Sequence, residues 1–270
     1  MIPKKIHYCW FGGNPLPELA QKCIASWKQY CPDYEIIEWN ESNFDINCCD
    51  YVREAYEAKK WAFVSDYARY KILHEYGGVY FDTDVEVLRP IDDLLAKGAF
   101  MGCENQTIKE GLGCAVNPGL GCAVVVGHSF YQEMLEDYEK SSFYNADGSL
   151  NLYTVVQRTT DLLRKHELQD TMDVQQVADI TIYPAEYFCP KSPKNWSVNI
   201  TDNTYTIHHF DGSWLADEIK YANEIRAKYN KYLPDIIVKC VSRFYAITKI
   251  KGLKYALQEM KKWIAGKNDG

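Results

Sequence analysis

The segment Trp61 to Asp84 constrains the fold more than any other part of the chain. Residues 61–76 read as a strong helix, and Gly77-Gly78 ends it as a C-cap pair. Val79-Tyr80-Phe81 is a buried strand, closed at once by Asp82-Thr83-Asp84. The chain opens in the same idiom. Lys5 to Phe11 reads as a first strand, broken by Gly12-Gly13-Asn14-Pro15. A helix follows over about residues 17–30, stopped near Cys31-Pro32. Tyr34 to Trp39 is a second strand. Strand, helix and strand in alternation predict an α/β chain with a parallel sheet.

Further helices are expected over 50–58, 129–139 and 153–166. Val85–Leu88, 180–183 and 205–208 read as short extended pieces, and 111–127 as two strand-like pieces around Asn117-Pro118-Gly119. The C-terminal part reads as helices over roughly 216–231, 235–247 and 252–265. The economical division is a catalytic domain over 1–234 and a basic helical appendage over 235–270.

No run approaches the roughly 20 apolar residues that span a bilayer, and the start lacks an apolar leader. A cytoplasmic protein is therefore expected. Ten cysteines are scattered without a C-x-x-C pair, which predicts reduced, mostly buried thiols rather than a disulfide framework or a zinc site. Net charge is −7 and unevenly spread. Residues 236–270 hold eight basic against two acidic residues, a net of +6, which leaves 22 basic against 35 acidic, or −13, on the rest. Apolar and aromatic residues interleave with those charges. That pattern suits either an anionic membrane surface, at the inner face of the membrane, or packing on the catalytic domain with a solvated basic face. No nucleic-acid partner is expected.

Asp82-x-Asp84 is the centre of the chemistry. Residues two apart on a strand point to one side, so carboxylates about 7 Å apart can bracket a divalent cation. Mg²⁺ and Mn²⁺ prefer such oxygen ligands, and a diphosphate can complete the shell. Upstream, Ala62, Ser65, Asp66 and Arg69 share one helix face by their spacing of three and four. The plainer reading of that face is an exposed Asp66–Arg69 ion pair, worth tenths of a kcal/mol.

The whole stretch Ala62 to Asp84, with Ser65-Asp66-x-x-Arg69, Gly77-Gly78 and Asp82-x-Asp84 in register, resembles the sugar-binding region of glycosyltransferase family 32. It is more distantly similar to clostridial toxin glucosylating domains and family 8. Ile2 to Trp10 resembles the family's first strand, and His208-His-Phe-Asp-Gly-Ser-Trp214 its closing motif. The resemblance implies a GT-A fold, with a Rossmann-like nucleotide-binding sheet, then a mixed sheet and C-terminal helices. It implies a retaining hexosyltransferase that uses Mn²⁺ or Mg²⁺ and a nucleotide-sugar, UDP-galactose or UDP-glucose before GDP-mannose. The acceptor would be a glycan or lipid-linked saccharide in surface polysaccharide synthesis.

Carried onto this chain, the resemblance implies Asp66, Arg69, Asp82 and Asp84 as the catalytic set. It implies Asp82, Asp84 and His209 as metal ligands, with His208 as the alternate. Donor contacts would come from Ile6, His7, Tyr8, Trp10, Trp39, Ala62, Ser65, Asp66, Arg69, Thr83, Ser213 and Trp214, although Trp39 equally suits the core. Gly111 to Gly119 lies where the family keeps loops over the sugar, and reads equally as a turn between strands. It is not a P-loop, since it lacks the G-K-[S/T] ending. Two other classes compete. A phosphohydrolase would want an aspartate closing the first strand, where Tyr8-Cys-Trp-Phe stands instead. A non-catalytic carbohydrate- or nucleotide-binding module would face phosphate with bare carboxylates.

Overall fold

Strand β1 (Lys5–Cys9) pairs in parallel with β2 (Glu35–Trp39) on one side and β3 (Gly78–Tyr80) on the other. Helix α1 (Glu18–Tyr30) makes the first crossover, and α2 (Asp50–Glu57) with α3 (Trp61–Tyr76) makes the second. The chain therefore steps off β1 first one way and then the other. Ligands of open α/β sheets bind outside the carboxyl ends of the strands where the order reverses, here between β1 and β3. These relations come from a computed structural model, which describes residues 1–108, 111–191, 197–212, 221–222, 225–226, 229 and 235–265.

Beyond β3 the sheet becomes mixed. A two-stranded ribbon also leaves β3, by way of β4 (Val85–Val87). Next in the chain come α4 (Asp92–Ala96), β5 (Phe100–Ile108), β6 (Gly111–Val116) and β7 (Cys122–Val124). Strand β7 runs antiparallel to β3 and to the first residues of β5, while β6 pairs with the rest of β5. Helices α5 (Ser129–Glu139) and α6 (Val155–Lys165) follow, then β8 (Gln175–Val177), β9 (Ile180–Tyr183), α7 (Ala185–Phe188) and β10 (Thr206–His208). Strand β9 extends the sheet in parallel to β5, β8 closes it, and β10 pairs antiparallel to β4. The expected Rossmann-like half and mixed sheet are both present.

Side-chain alternation on the strands divides the core. Ile6, Tyr8, Val79 and Phe81 pack on one face with Ile24 and Trp27 of α1. Cys9 and Tyr80 pack on the other with Val64, Tyr67 and Ala68 of α3. The turn from α3 into β3 requires glycine. Gly77 and Gly78 have φ of 61° and 104°, and a Cβ on Gly78 would meet the Lys5 carbonyl at 2.8 Å.

Residues 1–193 with 198–210 form one compact unit, and the described residues from 211 on belong to a second. The boundary expected at residue 234 lies inside that second unit. In it, α8 (Asp235–Lys251) continues past the expected end at 247, and Gly252 with φ 87° leads into α9 (Leu253–Ala265). The helix expected over 216–231 falls largely outside the described residues. No helix among the described residues is long and apolar enough to cross a membrane.

Two expectations are corrected. Strands β5 and β8 and the short helices α4 and α7 went unforeseen. In β5 Phe100–Cys103 is buried, and Glu104-Asn-Gln-Thr then breaks any apolar run. The cysteines are not all reduced. Cys103 and Cys114 are joined across the β5–β6 hairpin, where the register makes them diagonal neighbours, and the other eight form no disulfide.

Candidate functional site

Asp82 leaves the sheet directly after Phe81, at the carboxyl end of β3. Its backbone N–H donates to the Gly119 carbonyl at 3.0 Å, and its own carbonyl accepts from Val85 N–H at 3.0 Å. This turn sets Asp84 just ahead of β4. Trp27 Nε1 donates to the Val85 carbonyl at 2.7 Å, and the Val87 N–H donates to Ser26 Oγ at 2.9 Å, so α1 clamps β4. Strand β10 lies beside β4 with His208 opposite Val85, and the His209 N–H donates to the Asp84 carbonyl at 2.9 Å.

That register decides which histidine reaches the carboxylates. His208 Nε2 stands 3.2 Å from Asp84 Oδ1 and 3.9 Å from Asp82 Oδ2. Neighbours on a strand point to opposite sides, so His209 turns away and its Nε2 lies 2.9 Å from Glu86 Oε2. The expectation of His209 as metal ligand is therefore corrected to its neighbour: Asp82, Asp84 and His208 offer ligand atoms all within 4.8 Å of one another. Two carboxylates and an imidazole fit a divalent cation of the Mn²⁺ or Mg²⁺ kind. His208 Nδ1 is buried without a hydrogen-bond partner.

Arg69 sits behind this triad. It is buried, with Nη2 at 2.8 Å from Asp66 Oδ1 and 3.2 Å from Asp82 Oδ1, and Nε donating to the Ser65 carbonyl at 3.3 Å. Its guanidinium lies 4.9 Å over the Tyr80 ring, and its Nη1 is buried without a partner. Asp66 and Arg69 are thus not an exposed surface pair. They are the inner wall of the site.

The electrostatics follow from burial and from one cation shared between carboxylates. Burial raises the Asp66 carboxyl to about 7 against the pull of Arg69, with the Asp82 charge adding to the rise. Burial also pushes Asp82 upward, but Arg69 and His208 outweigh it and hold that carboxyl below its ordinary range. Burial alone would lower His208, yet Asp84 and Asp82 raise it to about 9. A His208 imidazolium offsets part of the charge of the two carboxylates.

Three groups escaped the sequence reading. A Cβ on Gly119 would press on Asp82 Oδ2 and come within 2.8 Å of its Cγ and 3.0 Å of Arg69 Nη1. Only glycine leaves room for the carboxylate. Asn117 Oδ1 accepts the Gly119 N–H at 2.8 Å, while its Nδ2 donates to Glu104 Oε2 at 3.3 Å. Glu104, raised by burial, feels the His208 charge but stands outside the triad. The Gly-rich stretch signalled a turn, and nothing in the sequence placed it against Asp82.

Most of the first-strand and second-strand residues expected at the donor serve the scaffold. Ile6 and His7 are fully buried. His7 Nδ1 accepts from Trp39 Nε1 at 3.0 Å and its Nε2 donates to the Gly77 carbonyl at 3.0 Å, so burial lowers its pKa to about 4 and both nitrogens are engaged. Trp39 is buried with it. The Tyr8 hydroxyl donates to Glu38 Oε2 at 2.6 Å. The half-buried Trp10 closes β1 and donates from Nε1 to the Asn14 carbonyl at 2.6 Å. Ala62, Ser65 and Thr83 are also half-buried. The Ser65 hydroxyl donates to the Trp61 carbonyl at 3.0 Å. Ser213 and Trp214 lie outside the described residues.

Residues 17–101 match the model of a family described as glycosyltransferase sugar-binding region containing DXD motif. The chain is 33% identical over 111 residues to inositol phosphoceramide mannosyltransferase 1 of Schizosaccharomyces pombe, covering 37% of this chain and 33% of that protein. It is 32% identical over 146 residues to inositol phosphoceramide mannosyltransferase 3 of the same yeast, covering 53% and 38%. It thus spans about a third of the length of these relatives. Among solved structures, PaToxG glycosyltransferase matches with a TM-score of 0.45 at 16% identity, over 61% of this chain and 69% of that one, too loosely to add to the account. Asp82-Thr83-Asp84 falls inside the matched segment.

Proposed function

We propose that the chain transfers a hexose from a nucleotide-sugar donor to a hydroxyl of a glycan or lipid-linked acceptor, with retention at the anomeric carbon. The observation that carries this reading is the convergence of Asp82, Asp84 and His208 within 4.8 Å at the carboxyl end of β3, inside the matched sugar-binding segment. A divalent cation held there supplies positive charge against which a diphosphate departs. The side chains around it do the rest. Arg69 keeps Asp82 ionised and fixed, with a second carboxylate, Asp66, on the same guanidinium. Asp66 is buried with a carboxyl near 7, which suits it to hydroxyls of a bound sugar as either donor or acceptor. Asn117 braces the Gly119 turn beside Asp82 and holds Glu104 by its amide. Their amide and carboxylate are of the kind that orients an acceptor or donor hydroxyl.

UDP-galactose and UDP-glucose are the donors we favour, and a growing surface polysaccharide the acceptor. Two relatives are mannosyltransferases by name, so a mannosyl donor is the second reading. The test is a panel of UDP- and GDP-sugars, with and without Mn²⁺, on wild type and Asp84→Ala, read by thermal shift and donor hydrolysis. A donor that binds only the folded state raises the melting point by mass action. One donor should stabilise wild type only with metal, and Asp84→Ala should lose both signals. If no donor shifts wild type under any condition, the triad is not a donor site.

A further inference from the structure

The second unit presents an apolar surface that its own core leaves uncovered. On α8, Ile237, Val241 and Tyr245 are 46%, 56% and 55% exposed, and their spacing of four puts them in one row. On α9, Leu253, Leu257 and Met260 form a second row, 56%, 40% and 39% exposed. Of the eighteen large apolar side chains exposed among the described residues, eight fall between 237 and 260. The inward-facing positions are different residues, with Val238, Ser242, Ala246 and Ala256 buried. Soluble monomers seldom leave apolar rows like these facing water without a use.

The charge around the rows chooses the occupant. Between 236 and 265 the chain has seven basic residues and one acidic residue, Glu259. Lys254 and Lys261 are exposed, and at 3.6 residues per turn their spacing of seven sets them about two turns apart on one side, along the flank of the α9 row. Arg243 is also exposed. Neither helix can span a bilayer, so the surface must lie along a partner rather than cross it. Exposed apolar rows edged by lysine on helices of this length match an anionic lipid surface, where the apolar side chains enter the acyl boundary and the ammonium groups meet phosphate.

We propose that α8 and α9 dock the protein on anionic lipid bilayers through Ile237, Val241 and Leu257, with Lys254 and Lys261 supplying the charge selectivity. Such docking would hold the enzyme where lipid-linked acceptors are found, but it does not depend on the transferase reading. Its test needs no sugar donor.

Full-length protein should co-sediment with vesicles containing phosphatidylglycerol and stay in solution with phosphatidylcholine alone. Added salt should loosen it, since surface charges are screened. Ile237→Ser with Val241→Ser and Leu257→Ser should abolish partition while circular dichroism stays unchanged, because all three positions are exposed. Lys254→Gln and Lys261→Gln should each weaken partition on the order of fivefold, the ~1 kcal/mol of one basic residue at such a surface. Absence of binding by wild type overturns the proposal, as does binding that the apolar triple variant leaves intact. A wild-type dimer in size-exclusion chromatography that the triple variant breaks, with vesicles ignored, would instead assign the face to a second copy of this chain.

Discussion

Gly119→Ala is the sharpest single perturbation, because it alters no ligand and no charge. The added Cβ would press on Asp82 Oδ2 and lie 2.8 Å from Asp82 Cγ. Carbon–carbon contacts settle at about 3.5–4.0 Å, so the carboxylate must withdraw by about 1 Å. It cannot retreat toward Arg69, whose Nη1 would itself be 3.0 Å from the new methyl. The carboxylate therefore swings toward solvent, to which the Asp82 side chain is already 29% exposed. That exit limits the stability loss to the low end of overpacking, about 1 kcal/mol, or a fall of roughly 2–4 °C in melting temperature. Function should suffer far more, since a misplacement of ~1 Å costs about 100-fold in rate. The assay pairs the Mn²⁺-dependent thermal shift with donor turnover. We expect the shift to vanish and turnover to drop by about two orders of magnitude, while the metal-free melting temperature falls by only those few degrees. A variant with the wild-type metal response and turnover would refute the packing argument.

The two adjacent histidines should separate cleanly. His208→Ala should lose the metal response, while His209→Ala, which only frees Glu86, should keep it; the reverse result in a Mn²⁺ titration would return the ligand role to His209. Metal affinity should climb with pH. His208 is raised to about 9 in the metal-free protein, above its ordinary value of 6.5, so a proton must leave before Nε2 can bind. Affinity should rise about tenfold per unit between those values and level off above. The sign for stability is opposite: the His208–carboxylate attraction is fully present below 6.5 and is lost as pH rises through 9. A flat affinity profile would mean that the metal displaces no proton from His208. Unfolded, unreduced protein should titrate eight thiols with a chromogenic disulfide reagent, and ten would contradict the Cys103–Cys114 bond.

The α3–β3 passage was legible because each part has a local signal: a Gly-free helical run, a glycine pair at positive φ, and an acidic pair closing an apolar strand. The wall formed by Asp66 and Arg69 followed from helix spacing, but its burial did not. Spacing describes one helix face, whereas burial depends on β7 and the Asn117 turn packing over it. The choice between His208 and His209 was illegible for a related reason. It is set by a one-residue register between β4 and β10, more than a hundred residues apart in sequence. Glu104 carried no signal at all, since a lone acid in a polar stretch looks like any exposed loop residue. For His7 and Trp39 the resemblance implied donor contact, with the core as an equal reading for Trp39, and the pair hydrogen-bond each other inside the core.

The central claim is that Asp82, Asp84 and His208 hold a divalent cation shared with a nucleotide diphosphate. Electron paramagnetic resonance of free Mn²⁺, titrated with wild-type protein in the presence and absence of UDP and GDP, tests it most directly. The account predicts that the free signal falls at lower protein concentration once the matching nucleotide is added, and that Asp82→Ala, Asp84→Ala and His208→Ala each remove this gain. Mn²⁺ binding that no nucleotide strengthens, or that survives all three substitutions, would contradict it.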